Sequence, residues 1–134
     1  MKESSLTRKA PIDAGVARVP RPVVRFRMRV TRGDAIAIGP GKIALLETIH
    51  QTRSITAAAK AIGMSYRRAW ILVDDVNSAL KRPAVASLVG GETGGGSTLT
   101  EVGLELVAVY RRIEANAEKA CAADIKRMLS LLAK

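Results

Sequence analysis

The sequence predicts a mainly helical domain with small β elements. Specifically, it predicts a winged helix-turn-helix preceded by a β-hairpin and followed by a long C-terminal helix. Three observations carry this expectation. Hydrophobic residues make up 48% of the 134 residues but aromatics only 3%, so the core must be aliphatic and alanine-rich, which favours helices. The apolar residues between Pro40 and Leu80 recur at helical spacing, broken at Ser54 and again at Gly63-Met64-Ser65. A glycine-rich stretch, 90-GGETGGG-96, lies between two short apolar runs and leads into Leu99-Thr100-Glu101, a strand end followed by a helix start.

Element by element, residues 1–22 hold Pro11, Pro20 and Pro22 among small and charged residues, and read as a disordered basic arm. In 23-VVRFRMRV-30 the residues alternate: Phe26, Met28 and Val30 share one face, and Arg25, Arg27 and Arg29 the other. Period two predicts a strand with one buried face. The turn 31-TRGD-34 brings 35-AIAI-38 back as its partner, giving a hairpin with an arginine-lined outer face.

Helices are expected over about 40–51, 55–62 and 65–80, with Ser54 and Ser65 as N-caps and Pro83 as the stop. The third carries Trp70, Val73, Val76 and Leu80 as its apolar stripe. Strands follow at 84–89 and 97–99. Thr100 caps a last helix over about 101–132, with Ala115–Cys121 the place for a break. The expected organisation is thus arm 1–22, DNA-binding domain 23–100 and C-terminal dimerisation helix 101–134.

Residues 55–74 bear the detailed pattern of a helix-turn-helix. Ala58, Ile62, Met64, Ala69 and Leu72 stand at its burying positions. Ala59 is small where the helices cross, and Gly63 stands where the turn needs a left-handed backbone. The second helix of such a motif presents its first residues to base edges in the major groove. Here these are Ser65, Tyr66, Arg67 and Arg68, with Ser54 and Thr56 at the start of the preceding helix as further contacts. Two arginines at a helix N-terminus oppose the macrodipole, a conflict that an external anion relieves. The glycine stretch is not a phosphate-binding P-loop, because Ser97 stands where the motif requires lysine. It reads as the tip of a wing, with Gly94, Gly95, Gly96 and Ser97 close to the DNA backbone.

Charge agrees with a polyanionic partner. The net charge is +10, and residues 1–32 hold nine Lys/Arg against two Asp/Glu. A nucleoid-type or adaptor protein with little sequence preference would share this charge and is the alternative reading. No enzyme, metal or cofactor is expected. His50 is the single histidine and Cys121 the single cysteine, with no carboxylate or metal-ligand cluster around either in the sequence. One cysteine also forbids an internal disulfide, so a reducing cytoplasm is the expected location. No membrane span or secretory leader is legible.

The run 40-PGKIALLETIHQTRSITAAAKAIGMSYRRAWILVDDVN-77, the glycine-rich 90-GGETGGGSTLT-100 and 105-ELVAVYRRIE-114 together resemble the N-terminal DNA-binding domain of ModE-type molybdate-responsive regulators. The resemblance covers about residues 23–115. LysR-type regulators, which share S-x-x-x-A-A and L-T-x-x-G, are the second choice. The resemblance implies a winged-helix homodimer on a pseudo-palindromic double-stranded operator. Full ModE regulators carry C-terminal oxyanion-binding domains, and this chain ends at Lys134. The expectation is therefore DNA binding in molybdenum-related regulation, with any effector sensing supplied by a separate partner protein. Val102, Leu106, Val109 and Ile113 follow the 4-3-4 spacing of a helix-pair seam. The spacing restarts at Cys121 with Ile125, Met128 and Leu132, and these residues make up the expected dimerisation surface.

Overall fold

The computed structural model describes residues 19–88 and 96–134. Most of the basic arm, and Gly94 and Gly95 of the expected wing tip, lie outside the described residues. Among the described residues nine elements follow in order: β1 Val30–Arg32, β2 Ala35–Ile38, α1 Pro40–Thr52, α2 Ile55–Ala61, α3 Tyr66–Ala79, β3 Val85–Leu88, β4 Gly96–Leu99, α4 Glu101–Ala120 and α5 Ala122–Ser130. Phe26–Ala120 form one compact unit; the described residues of a second are 19–25 and 121–134.

α1 is the centre of the first unit. Ile43, Leu45, Leu46 and Ile49 are all buried, so apolar side chains leave this helix in several directions. It touches α2, α3, α4 and β4. Burial on all these sides explains why its sequence reads as more than a single stripe. Pro40 occupies its first turn, where a missing N–H costs nothing. Lys42 is buried, and its ammonium donates to the Ile36 and Ala37 carbonyls, fastening β2 to α1. Asp75 of α3 stands 3.9 Å away and balances the charge.

Three sequence expectations are corrected. The strand expected at 23–30 exists only as Val30–Arg32, because β2 offers just four residues to pair with. The alternation survives as burial: Phe26 and Met28 are half-buried while Arg27 and Arg29 are exposed. Val30 instead faces solvent at 52% exposure, because the register slips between Val30 and Thr31. The turn is Gly33-Asp34 rather than all of 31–34, with Gly33 left-handed at φ 60°. Ile62, expected in the core, is exposed because it is the C-cap of α2. The last helical stretch is parted into α4 and α5 at Cys121, within the interval expected for a break.

β3 and β4 pair antiparallel, from Val85 opposite Leu99 to Leu88 opposite Gly96. Asn77 of α3 anchors this hairpin. Its Oδ1 accepts from the amides of Ala84 (2.8 Å) and Val85 (3.1 Å), and its Nδ2 donates to the Val85 carbonyl. Thr100 then caps α4, its Oγ1 accepting from Gly103 N at 3.1 Å. The face that α4 turns to the core carries Gly103, Leu106, Val107 and Tyr110. Tyr110 donates its hydroxyl to the Met28 carbonyl at 2.8 Å, fixing the arginine-bearing segment before β1.

Glu47 of α1 accepts from Arg111 of α4 twice, at 2.6 and 2.9 Å. That hydrogen bonding holds the Glu47 carboxyl below its ordinary value of 4.5. A depressed carboxyl stabilises the fold above its unfolded pKa and loses that contribution as pH falls through the folded one. Both side chains are substantially exposed, at 32% and 45%, so the effect is at most about 1 kcal/mol. Glu47→Gln should therefore lower the melting temperature modestly at neutral pH, by the equivalent of about 1 kcal/mol or less, and the gap to the wild type should close as pH falls below 4.5 in a thermal-unfolding series.

Candidate nucleic-acid interface

The interface is built from the α2–turn–α3 unit. Ser54 caps α2, its Oγ accepting from Ala57 N at 3.0 Å. Ile55, Ala58 and Ala59 bury its inner face. Met64 N then reaches back to Ala59 O (2.9 Å) and Gly63 N to Lys60 O (3.3 Å). These two bonds form the Schellman closure, which needs a left-handed residue, and Gly63 supplies it at φ 71°. Ser65 starts α3 at once, its Oγ accepting from Arg68 N at 3.1 Å.

On α3, Ala69, Val73 and Val76 point into the core, and Trp70, Leu72 and Leu80 are partly buried against it. Ala69, Val73 and Val76 are thus buried as expected, while Trp70, Leu72 and Leu80 are only partly so. Tyr66, Arg67, Arg68, Ile71, Asp74, Asp75 and Ser78 are exposed. The first turn holds no acidic residue, so the partial positive charge of the helix start and the two guanidiniums face outward together. Trp70 meets Tyr66 edge-on at 6.1 Å between ring centroids. Thr56 is exposed on the first turn of α2.

Gly96, expected in the turn, lies in β4; Ser97 lies in the returning strand as expected, but is only 6% exposed. Ser97 N donates to the Arg53 carbonyl at 3.0 Å. A Cβ on Gly96 would come within 2.7 Å of that same carbonyl oxygen. Gly96 is small so that β4 can approach the α1–α2 corner, and Ser97 serves the fold.

Arg53 is the residue that sequence reasoning missed. It closes α1 in the left-handed conformation at φ 62°, and its Nη1 donates to Thr98 Oγ1 at 2.9 Å. It ties the entrance of α2 to β4. The only sequence signal was its position between the end of one helix and the cap of the next.

The expected dimerisation residues divide in two. Leu106 packs against the chain's own core, which removes it from a free seam. Val102 and Val109 are half-buried, and Ile113 is 46% exposed. In α5 no residue is buried; Ile125 is intermediate, and Met128, like Leu132 just beyond the helix, is 52% exposed.

Among the described residues no group of His, Cys, Asp and Glu has the make-up of a metal site, and no helix is long and apolar enough to cross a membrane. Fold and surface together define a small, basic, mainly helical module that presents a cationic helix start. The chain is similar to the molybdenum-pterin-binding protein MopB of Rhodobacter capsulatus, at 44% identity over 82 residues, 61% of this chain and 30% of that protein. It is similar to the molybdenum transport protein ModE of Azotobacter vinelandii, at 39% over 88 residues, 66% of this chain and 33% of that one. It is also similar to the DNA-binding transcriptional dual regulator ModE of Escherichia coli K12, at 37% over 71 residues, 53% and 27% of the two chains. The chain spans about a third of the length of these relatives. Their names are those of regulators, transport proteins and molybdenum-pterin-binding proteins, and none is that of an enzyme. No family model matches the chain.

Proposed function

We propose that this chain is a sequence-specific DNA-binding regulator of the ModE kind that acts through a winged helix-turn-helix. α3 is the recognition helix, and the β3–β4 hairpin with its glycine-rich connection is the wing. The observation that carries the reading is the tight α2–Gly63–α3 turn, which leaves Tyr66, Arg67 and Arg68 exposed at the first turn of a helix whose opposite face is buried. Arginine matches guanine O6 and N7 in the major groove, and tyrosine suits a phosphate or a base edge. Ser54 and Ser65 spend an oxygen lone pair on their caps, yet each hydroxyl keeps a hydrogen to donate to a phosphate. Thr56 adds a contact from α2, and Gly94 and Gly95 let backbone amides approach the DNA at the wing tip. The protein acts as a homodimer in the cytoplasm, and its target genes belong to molybdenum-related regulation, the field that the names of its relatives indicate for those proteins.

Arg67 and Arg68 provide the test. On a site recovered by selection from random duplexes, Ala at whichever of the two pairs with guanine should cost about 1–3 kcal/mol and relax preference at one base pair. Trp70, the one tryptophan, lies beside Tyr66 and offers an intrinsic fluorescence signal for the titration. An equal loss on every sequence for both variants would reduce them to phosphate contacts and favour the nucleoid-type reading.

A further inference from the structure

Among the described residues the side chains of Arg27 and Arg29, before β1, and of Arg32, its last residue, make no hydrogen bond, and this arginine comb has no part in the reading above. Arg27 and Arg29 are exposed, as is Arg32 at the hairpin end, and among the described residues none of the three stands in an ion pair. Yet their position is fixed. Met28 between the first two is held by the Tyr110 hydroxyl, and β2 is fastened by buried Lys42. The three line a single open cavity of about 750 Å3, whose other wall is α3, from Arg68 through Ile71 and Asp75 to Ala79.

The helical projection of α3 says where this cavity lies. At 100° per residue, Arg67, Ile71, Asp74 and Ser78 form the middle of the outward face. Arg68, Leu72, Asp75 and Ala79 lie along one flank of that face and border the cavity, which also reaches Ile71 and Ser78 of the face itself. The comb therefore runs beside the recognition face, on the flank that carries Arg68. A helix seated in a major groove has a phosphate strand along each flank.

We infer that Arg27, Arg29 and Arg32 are a phosphate clamp: they hold the DNA strand that borders the major groove while α3 sits in it. The inference rests on the DNA-binding reading above and extends its footprint to the N-terminal hairpin. Four arginines face this cavity, and of its two carboxylates Asp75 already stands 3.9 Å from Lys42, which leaves Asp34 as the one opposing charge with no cation at salt-bridge distance among the described residues. Guanidinium groups bind phosphate oxygens in pairs and stay charged at every working pH. A clamp of this kind adds affinity and register without reading sequence.

The test is the salt dependence of binding to a mixed-sequence duplex of about 30 base pairs, which needs no knowledge of the operator. Each phosphate contact contributes about 0.9 to the slope of log K against log salt. The variant Arg27→Gln/Arg29→Gln/Arg32→Gln should lower that slope by roughly 2–3, with an unchanged melting temperature. A control that removes the same charge from exposed positions elsewhere, Arg112→Gln/Lys119→Gln/Lys126→Gln, should leave the slope nearly as in the wild type. Equal changes in the two variants would mean that only net charge matters, and would overturn the clamp. An unchanged slope in the first variant would also overturn it, while the same duplex still losing affinity with Arg68→Ala would leave the DNA-binding reading standing. A wild-type chain that binds no duplex overturns both. If inorganic phosphate or ATP raises the wild-type melting temperature and the arginine variant abolishes that rise without altering the DNA slope, the cavity serves a small anion and the clamp is wrong.

Discussion

Gly103→Ala should unfold this protein well below the wild-type melting temperature, although alanine is the better helix former by about 1 kcal/mol. Gly103 lies on the first turn of α4, facing the loop before β3. A Cβ there would stand 2.3 Å from the Ala84 carbonyl oxygen and 3.1 Å from its carbon. That carbonyl cannot swing away cheaply. It accepts from Thr100 N at 2.9 Å, and the amide of the same residue donates to Asn77 Oδ1 at 2.8 Å. The helix must lift instead, pulling Leu106, Val107 and Tyr110 from the core. Overpacking against fixed backbone costs about 1–3 kcal/mol and occasionally more, so the clash outweighs the helix gain. A net loss of about 2 kcal/mol corresponds to roughly 10 °C in a domain of this size. Gly41→Ala is the contrast. Gly41 lies in the first turn of α1 with nothing within 4 Å of an added Cβ, so the same substitution there should be neutral or slightly stabilising. Thermal unfolding followed by circular dichroism compares the two. Equal melting temperatures would show that α4 does not sit against Ala84 as described.

The glycines also show what a sequence conceals. Gly63 was legible because a cap, Ser65, follows it two residues later and the apolar spacing shifts phase there. Gly96 was read as part of an exposed tip, because nothing in 90-GGETGGGSTLT-100 reveals that the Arg53 carbonyl lies against it. Helix caps are local, and Ser54, Ser65 and Thr100 all act as their spacing predicted. Strands depend on a partner, and 23–29 lacks one. Its alternation predicted which side chains face inward, correctly for Phe26 and Met28, but not the ladder. On α4, the 4-3-4 stripe through Val102 and the core-facing set Gly103, Leu106, Val107 and Tyr110 share only Leu106, and both lie at helical spacing. Only the close approach at Ala84 decides which stripe faces the core. The exposed first turn of α3 was legible, since its opposite face is apolar. The arginine comb was visible as a pattern, but its nearness to Arg68 is a tertiary fact.

The proposed dimer carries the second large prediction. One recognition helix contacts too few base pairs to single out a genomic site, and the usual solution is two copies on a pseudo-palindrome. With Leu106 committed to the core, the apolar surface left for a partner shifts toward the C-terminus. Ile113 stands 46% exposed on α4; Met128 on α5 and Leu131 and Leu132 after it are exposed at 52%, 66% and 52%. Ile125, Met128 and Leu132 keep the 3-4 part of the 4-3-4 spacing, and no residue of α5 is buried in the single chain. A nine-residue helix of this kind is marginal alone in water, and packing its apolar face against a second copy is what would stabilise it. A two-fold axis then lets each stripe meet its own copy. Sedimentation at micromolar concentration should give twice the chain mass. Ile125→Asp with Leu132→Asp should give a folded monomer, since neither residue is buried in the unit that bears α3. Its affinity for a selected two-half-site duplex should fall roughly 10²–10⁴-fold, as two linked contacts become two separate ones. Binding to a single half-site should change little. A wild-type chain that sediments as a monomer and still binds one site tightly and specifically would end the dimer proposal, because a single α3 would then have to supply all the discrimination.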